Sequence, residues 1–459
     1  MPTISSRPVV LIAGLLSLLA ADPMPAEDWP EWRGAGRGGE WTEAPSELVE
    51  SFPETGLDPA WRTPIHGGYA GPAVSGGLVF VVDFERKGRT AGAESTLALD
   101  ERSGELKWKR SWPADYVGLE PRYATGPRAT PTVDGERVFA LGAMGQLVAL
   151  TAADGAVEWR RDFVAEYGTE VPVWGMSGSP VVHGRLLVAL VGGKKGATAV
   201  AFDKASGEEV WRAIETDGEP GYASPILFDV DGRTQLVLWH PGAIYGLDPA
   251  TGKELWRVPF EVTLGLTVAS PVLSGDKLLV SSFFNGSALV QLGGGSTVKE
   301  LWRGASSSEV DTDGLHALIT TPVIDGDTIY GVGSYGQLRA LDLATGERLW
   351  ETMAPVVEKA RWAAAFLVKN GDRYVISNDR GELILATLDR RDGYREIDRA
   401  DLIEPTSPIG RREKKAVHWS HPAYANGHVV IRNDREVLRV DLRRPRAEPP
   451  AAESASPAP

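Results

Sequence analysis

The sequence contains no cysteine, and this absence excludes several kinds of site at once. Without a thiolate the chain cannot form a cysteine zinc site, a thiol nucleophile or a disulfide. A lipid attached to a cysteine is excluded for the same reason. The compartment stays open on this evidence, because a large all-β protein can fold without disulfides.

The sequence also has fewer positively charged than negatively charged residues. The chain has 48 lysine and arginine residues against 62 aspartate and glutamate residues, which gives a formal net charge of −14. Proteins that bind nucleic acid need lysine and arginine concentrated on one surface. We therefore expect no nucleic-acid partner, and the negative surface favours solubility.

Long apolar runs are missing except near the N-terminus. Residues 9–20 form a predominantly apolar run that follows Arg7. The run is too short to span a bilayer and has the length of the apolar part of a signal peptide. We predict a signal peptide over residues 1–26, with an uncleaved anchor as the alternative. Either alternative places the folded chain in the periplasm or outside the cell. If the signal peptide is cleaved, we expect no transmembrane span.

A repeated unit dominates the rest of the chain. Each copy ends with a strand, a turn built on aspartate and glycine, and a second strand that carries a tryptophan. The unit recurs every 45 to 52 residues in its first four copies, which indicates a repeat architecture. The five clearest copies are residues 98–108, 149–159, 201–211, 246–256 and 340–350.

A second marker opens each unit: a small residue followed by proline, which suits the first residue of a strand. Asp-Gly pairs such as Asp134-Gly135 then predict hairpins inside the unit. Each unit therefore contains four antiparallel strands, and we predict an all-β, eight-bladed β-propeller with four-stranded blades. The openers lie at Pro72, Pro131, Pro180, Pro225, Pro271, Pro322, Pro422 and, without proline, at Ala365.

The last blade lacks one strand. Residues 57–65 carry Trp61 of the unit ending but follow no unit of their own. We predict that this N-terminal strand closes the last blade and removes the free sheet edges. The domains are then a Trp-rich lead-in over 27–56, a propeller over 57–442 and a disordered, Pro/Ala-rich tail over 443–459.

The tryptophan of the unit ending is predicted to be structural. A position repeated in most blades serves the scaffold, since a single ligand needs only one or two copies. Each indole should be buried with an acceptor for its N–H. These residues are Trp61, Trp108, Trp159, Trp211, Trp256, Trp302 and Trp350.

The unit ending, Ala-x-Asp-x-x-x-Gly-x-x-x-Trp, resembles the tryptophan-docking motif of the pyrroloquinoline-quinone (PQQ) repeat propellers. Residues 29–39, 126–135, 174–180 and 419–422 resemble segments of the secreted bacterial members, and the resemblance covers about residues 28–442. It implies the propeller fold and two functional classes. One is the PQQ-dependent dehydrogenases, and the other is non-catalytic propellers such as the lipoprotein of the outer-membrane β-barrel assembly machinery.

The chain departs from both classes. Many alcohol-oxidising dehydrogenases of this kind stack the quinone against a disulfide between adjacent cysteines and hold Ca²⁺ with Glu, Asn and Asp side chains. Here the candidate acids Glu120, Glu170 and Asp313 stand in other sequence contexts. The lipidated cysteine of the lipoprotein is absent as well. We expect no cofactor, and PQQ with Ca²⁺ is the alternative.

In propellers of this type, the segments that enter the innermost strands surround one mouth of the central channel. Here they carry aromatic, cationic and imidazole side chains that are not present in every repeat. This mixture suits a planar carboxylated ligand, a sugar or a peptide, although the same aromatics could instead plug the channel. The candidates are Tyr69, Tyr123, Arg128, Trp174, Tyr222, His316, Arg361, Trp362, His418, Trp419 and His421.

Two of these candidates, His418 and His421, could share a metal or serve as hydrogen-bonded loop residues. No third ligand stands at a metal-binding spacing. We therefore list no metal site and no catalytic residue.

The sequence predicts an extracytoplasmic, non-catalytic binding or scaffold propeller. Its expected partners are envelope proteins or a small carboxylated or sugar ligand, and it is expected to be a monomer. One alternative is a PQQ-dependent oxidoreductase with a non-standard site that uses Arg128, Trp174 and Trp419. Another is a glycan-binding module. Whether the protein is an enzyme stays open at this point.

Overall fold

A computed structural model describes residues 27–216, 218–294, 296–356, 358–408 and 416–444. The predicted signal peptide, residues 1–26, lies outside the described residues, as do residues 445–459 of the predicted tail. Within the described ranges, no helix combines the length and the apolar character needed to cross a membrane.

The regular secondary structure of the described residues is almost entirely strand, in eight four-stranded sheets. In the first half of the chain the strands are β1 (Pro59–Pro64), β2 (Ala73–Ser75), β3 (Leu78–Arg86), β4 (Ala91–Asp100), β5 (Leu106–Asp115), β6 (Thr132–Asp134), β7 (Arg137–Leu141), β8 (Gln146–Thr151), β9 (Val157–Asp162), β10 (Val181–His183), β11 (Leu186–Leu190), β12 (Ala199–Asp203), β13 (Glu209–Ala213), β14 (Ile226–Val230), β15 (Arg233–His240), β16 (Ala243–Leu247) and β17 (Glu254–Pro259).

The second half continues the same pattern. Its strands are β18 (Val272–Ser274), β19 (Lys277–Ser282), β20 (Gly286–Leu292), β21 (Val298–Arg303), β22 (Val323–Asp325), β23 (Thr328–Val332), β24 (Leu338–Asp342), β25 (Arg348–Thr352), β26 (Ala365–Asn370), β27 (Arg373–Asn378), β28 (Glu382–Asp389), β29 (Gly393–Asp401), β30 (Ala423–Ala425), β31 (His428–Arg432) and β32 (Glu436–Asp441). The helical pieces are α1 (Phe163–Tyr167) and single 3-10 turns at Ala35–Arg37, Pro45–Glu47 and Thr263–Gly265.

Each blade is an antiparallel meander of four strands, from β2–β5 in blade 1 to β26–β29 in blade 7. Blade 8 has the strand order β1-β32-β31-β30. Strand β1 pairs antiparallel with β32, with Trp61 opposite Arg439 and Thr63 opposite Val437. The predicted eight-bladed propeller and its closure by an N-terminal strand are both confirmed.

The repeated unit ending has a local physical cause, seen in blade 3. Asp203 accepts the backbone N–H groups of Ala205 and Ser206 and so caps the turn. Gly207 then adopts φ +73°, a conformation that glycine reaches without strain. A bulge in the following pair of strands brings Trp211 opposite Ala201. The motif therefore builds a tight turn and aims one large ring.

In most blades the tryptophan ring of the unit ending packs on the turn of the next blade, and Trp159 of blade 2 is an example. The Trp159 indole lies against Gly207, where an added Cβ would stand 2.6 Å from a ring atom. The Trp159 Nε1–H donates to the carbonyl of Lys204 in the same turn, at 3.1 Å. The glycine is therefore needed both for its backbone conformation and for the space it leaves. The same contact joins Trp61 to Gly104, Trp108 to Gly155, Trp211 to Gly252 and Trp302 to Gly346.

Blade 5 lacks the Asp turn, and the tryptophan that faces it is satisfied differently. Trp256 Nε1 donates to the side-chain oxygen of Gln235 in its own blade, at 2.6 Å. Trp350 donates to the carbonyl of Asp389 in blade 7, at 2.9 Å. The indole N–H thus keeps an acceptor at both junctions, although the tryptophan–glycine contact of the other blades is not repeated there.

The lead-in enters the central channel, and we call residues 29–41 the hub segment. Within it, Arg37 donates to the carbonyls of Ser179, at 2.9 Å, and Pro225, at 2.7 Å, and also to that of Pro180. These carbonyls belong to the openers of blades 3 and 4. Arg37 Nε also pairs with Glu31 at 2.7 Å, so the buried charge is neutralised.

The rest of the hub segment reaches the other blades. Trp32 Nε1 donates to Ser270 Oγ at 3.0 Å, and Arg33 donates to the carbonyl of Thr321 at 3.3 Å. One short segment therefore connects all eight blades along the channel. Its further contacts are to Val74 in blade 1, Val133 in blade 2, Lys369 in blade 7 and the His421 ring at the opener of blade 8.

We predict that the tryptophan–glycine contact is a main source of stability. Trp211→Ala should lower the free energy of unfolding by about 3–5 kcal/mol, as expected for truncation of a core aromatic residue. Val210→Ala is the control, since this neighbouring side chain is 38% exposed; its effect should stay within about 0.5 kcal/mol. Chemical denaturation followed by tryptophan fluorescence measures both. Equal effects of the two substitutions would contradict the structural role.

A second prediction concerns the hub segment and uses two Arg–Glu pairs of equal length. Arg37–Glu31 is buried and Arg62–Glu436 is on the surface, both at 2.7 Å. Arg37→Gln leaves buried carbonyls and a carboxylate without their partner and should cost about 3–5 kcal/mol in unfolding free energy. Arg62→Gln should cost at most about 1 kcal/mol. If the two variants lost similar amounts of unfolding free energy in the same denaturation assay, the hub segment would not hold the ring together.

Candidate functional site

A pocket of about 390 Å³ opens where the segments that enter the innermost strands converge. We call it the funnel pocket. The hub segment reaches it through Trp32, so the pocket sits over the filled channel. It is lined by Trp32, Tyr69, Arg122, Tyr123, Arg128, Trp174, Ser177, Tyr222, Ser224, Leu264, Leu266, Val268, Ser270, Phe283, Phe284, Leu318, Ile319, Arg361, Trp362, Phe366 and Trp419.

Eight of the eleven side chains proposed from the sequence line this pocket. They come from the openers of six blades, and the propeller topology brings these openers to one mouth. The residues brought together are Tyr69, Tyr123, Arg128, Trp174, Tyr222, Arg361, Trp362 and Trp419.

The three histidine candidates lie outside the lining and are buried. His316 Nδ1 donates to the carbonyl of Phe283 at 3.1 Å, and His418 Nε2 donates to that of Arg432 at 2.9 Å. His421 Nδ1 donates to the carbonyl of the residue after it, at 2.5 Å. Over the described ranges, no three histidine, aspartate or glutamate side chains gather as a metal site would require. The histidines therefore act as hydrogen-bonded residues behind the pocket wall.

One wall of the pocket was not foreseen from the sequence. Part of the lining is apolar, in contrast to the part formed by tyrosines and arginines. It consists of Leu266, Val268, Leu318 and Phe366. Phe283 joins them from the turn between β19 and β20. The available signal was that the openers of blades 5 and 6 carry aliphatic residues where those of blades 1, 4, 7 and 8 carry tyrosine or tryptophan.

Two bulky residues of the pocket have strained backbones. Leu264 has φ +57° and Trp362 has φ +66°. Large side chains rarely adopt positive φ, and such strain is found where the surroundings hold a residue for a function. The Trp362 N–H donates to the carbonyl of Ser334 at 2.9 Å, which fixes the turn. Leu264 is 67% exposed, so the strained turn presents an apolar side chain to solvent.

The three arginines of the lining differ in how their charge is balanced. Arg122 pairs with Glu120 at 2.7 Å, and Arg361 pairs with Glu309 at 2.6 Å. Arg128 has no ion pair with any carboxylate of the described residues. Its charge is thus the uncompensated one in the pocket.

Arg128 is held in place by neutral groups instead. Its Nε donates to the carbonyl of Trp174 at 2.5 Å, and its Nη2 donates to that of Tyr123 at 2.6 Å. The guanidinium lies 4.4 Å from the centre of the Tyr69 ring, a cation–π contact. Burial lowers the pKa of Arg128 from its usual value, because desolvation disfavours the charged form. The side chain is fixed, yet its Nη1 has no acceptor among the described residues.

The pocket does not fit Ca²⁺ with PQQ. Calcium takes six to eight oxygen ligands, mainly from carboxylates and carbonyls, and no aspartate, glutamate or asparagine lines the pocket. The candidate acids are engaged elsewhere: Glu120 with Arg122, Glu170 with Lys194 at 3.7 Å, and Asp313 with the N–H groups of Ala305, Ser306 and Gly314. No chemical step can be derived from this lining for that cofactor.

The PQQ_2 family model, described as outer membrane protein assembly factor BamB, matches residues 44–240, 93–352, 240–406 and 297–443. These matches overlap and together cover most of the propeller.

Individual relatives fall into two groups. Outer membrane protein assembly factor BamB of Moranella endobia is 23% identical over 63% of this chain and 74% of its own length. Quinohemoprotein alcohol dehydrogenase ADH-IIG of Pseudomonas putida is 26% identical over 62% of this chain, but the match spans only 44% of that protein. Sequence similarity alone therefore leaves both a binding and an oxidoreductase class in view.

Solved structures support the fold. BamB from Moraxella catarrhalis has a TM-score of 0.53 at 17% identity, covering 83% of this chain and 96% of that one. Quinohemoprotein alcohol dehydrogenase from Comamonas testosteroni has a TM-score of 0.58 at 14% identity, covering 90% and 80%.

The buried histidines predict a pH dependence of stability. Burial lowers the pKa of His418 to about 4 and that of His421 to about 3, below the usual value of 6.5. The unfolded chain therefore binds more protons below pH 6.5, and the histidines' contribution to stability is lost progressively as the pH falls from there toward 4. Each group contributes up to about 1.4 kcal/mol per pH unit.

Denaturation at pH 7, 6 and 5 tests this effect. The unfolding free energy of the unmodified chain should fall with pH more steeply than that of His421→Gln, which removes one titrating group. The comparison of slopes cancels the titration of other residues. Parallel slopes for the two proteins would contradict the prediction.

Proposed function

Since the chain belongs to the PQQ_2 family, described as outer membrane protein assembly factor BamB, we propose that it is an extracytoplasmic, non-catalytic binding propeller. Its partner is a protein of the bacterial envelope, reached in the periplasm. The funnel pocket and its rim are the docking site. The observation that carries the proposal is a mouth with an exposed apolar rim, a cage of aromatic rings and one uncompensated arginine.

The rim supports docking because it exposes apolar surface. Leu264 projects from a strained turn and is 67% exposed. Val173, which is 38% exposed, lines an adjoining cleft together with Leu264, so the apolar surface at this mouth includes more than one side chain, as expected where a partner binds. Within the pocket, tryptophan, tyrosine and arginine predominate, and these are the residue types that carry most binding energy at interfaces.

The lining also supports a non-catalytic role. It includes Ser177, Ser224 and Ser270 but no histidine, aspartate or glutamate. A serine hydroxyl needs an adjacent base to act as a nucleophile. The Ser177 hydroxyl instead donates to the carbonyl of Tyr222 at 3.1 Å. The hydroxyls thus serve the contacts between blades.

The alternative is an oxidoreductase of the quinoprotein type, which the similarity to quinohemoprotein alcohol dehydrogenase ADH-IIG favours. Calorimetric titration of the purified chain with PQQ, with and without Ca²⁺, separates the two functions. We expect no saturable heat, because the lining offers no oxygen ligands for the metal. One-to-one binding at micromolar affinity or better would replace the binding proposal by the oxidoreductase.

Glycan binding is a weaker fit. Sugar hydroxyls need several polar partners at fixed positions, and the lining has no carboxylate or side-chain amide. A carbohydrate-array screen checks this class directly, and no specific signal is expected.

The docking proposal predicts a difference between two exposed leucines. A photo-crosslinking amino acid at position 264 should form a discrete adduct with an envelope protein in the producing bacterium. The same amino acid at position 349 is the control, because Leu349 lies in the outer strand β25 and is 39% exposed. Leu264→Asp should then abolish co-purification of that partner, while Leu349→Asp should not. Adducts at position 349 alone, or at neither position, would contradict the proposal.

A further inference from the structure

The funnel pocket offers an uncompensated positive charge at a fixed position. Arg128 uses Nε and Nη2 to bind two backbone carbonyls and rests on the ring of Tyr69. The carbonyls are neutral, so they orient the guanidinium without cancelling its charge. Nη1 is left for a ligand. An arginine held this way can donate from Nη1 to a carboxylate oxygen without losing further freedom.

The surroundings strengthen the case for an anion. The chain as a whole is acidic, with a formal charge of −14. Even so, the pocket lining contains three arginines and no carboxylate, and the other two arginines have their own glutamate partners. A partly buried cation without a counter-ion is costly, and a bound carboxylate would offset that cost.

The rest of the pocket is shaped for an apolar body. Tyr123 stands edge-on to Trp362, with ring centroids 5.7 Å apart, and Trp174 stands edge-on to Tyr222 at the same distance. Leu266 belongs to the same apolar cluster as Tyr222, and Trp174 and Trp362 pack against that cluster. Rings arranged in this way offer both faces and edges to another ring. A volume of about 390 Å³ suits a compact ligand rather than an extended chain.

We propose that the funnel pocket binds a compact aromatic group that bears one carboxylate. Arg128 donates to the carboxylate, and the cage of rings holds the apolar body. This inference rests on the proposed function, because it names the chemistry that the docking site recognises. The group could be a free aromatic acid or the C-terminal residue of a partner chain, since both present the same two features.

A matched set of ligands tests the proposal on the purified full chain. Indole-3-acetate, indole-3-acetamide and tryptamine share one ring system and differ in charge. In calorimetry the acetate should bind at least about tenfold more tightly than the amide, because a hydrogen bond between charged groups is the stronger one. Tryptamine, a cation, should not bind measurably. Acetyl-tryptophan against its amide repeats the comparison for a chain end.

Variants assign the preference to Arg128. Arg128→Met should remove the difference in affinity between the acetate and the amide. Arg62→Met is the control, because it removes the same charge from an exposed site outside the pocket lining. Thermal unfolding of each variant reports whether it is folded. If Arg128→Met does not fold, the ligand set on the unmodified chain still decides, and Arg128→Lys should keep a reduced preference for the acid.

Equal affinity for acid and amide would overturn the proposal, as would a preference that survives Arg128→Met. Binding of none of these ligands would overturn it too, yet adducts at position 264 would keep the proposed docking function. Tighter binding of acetyl-tryptophan than of indole-3-acetate would identify a chain end as the source of the carboxylate. The reverse order would identify a free aromatic acid.

Discussion

The contact between a tryptophan and the glycine of the next blade is the constraint on which the structure depends. Each blade presents one face to each neighbour, and a four-stranded meander cannot bury those faces alone. The indole of Trp159 fills the space above Gly207 and donates to the same turn. Repetition of this contact fixes the angle between blades, and the angle sets the number of blades that close a ring. Pairing of β1 with β32 then completes the circle.

A closed ring leaves a channel, and the way it is filled determines where a site can form. The hub segment satisfies carbonyls of several openers through Arg33 and Arg37 and contributes Trp32 to the funnel pocket. The two ends of each opener segment thus make different contacts. Their proline ends are bound by the hub, while the residues before them face the pocket. Those residues lie outside the repeated contact and are therefore available for recognition.

The parts of this architecture that repeat could be predicted from the sequence, and the parts that occur once could not. The propeller, its closure by the strand with Trp61 and most of the aromatic lining follow from periodic motifs. The role of Arg37 does not, because it binds carbonyls of Ser179 and Pro225, which are 142 and 188 residues away. The placement of His421 behind the wall, against the hub, likewise depends on a segment that has no counterpart in other blades.

The uncompensated charge of Arg128 is the feature least explained by the scaffold. Its two hydrogen bonds go to neutral carbonyls, and a neutral amide side chain could make such bonds without the cost of partly burying a cation. Its contact with Tyr69 recovers part of that cost but does not supply a negative charge. The buried arginines of the scaffold are balanced in two ways: Glu31 neutralises Arg37, whereas Arg33 and Arg432 are enclosed and donate to backbone carbonyls. Arg128 differs from Arg33 and Arg432 because it lines the funnel pocket, where the proposed carboxylate would supply the missing counter-ion.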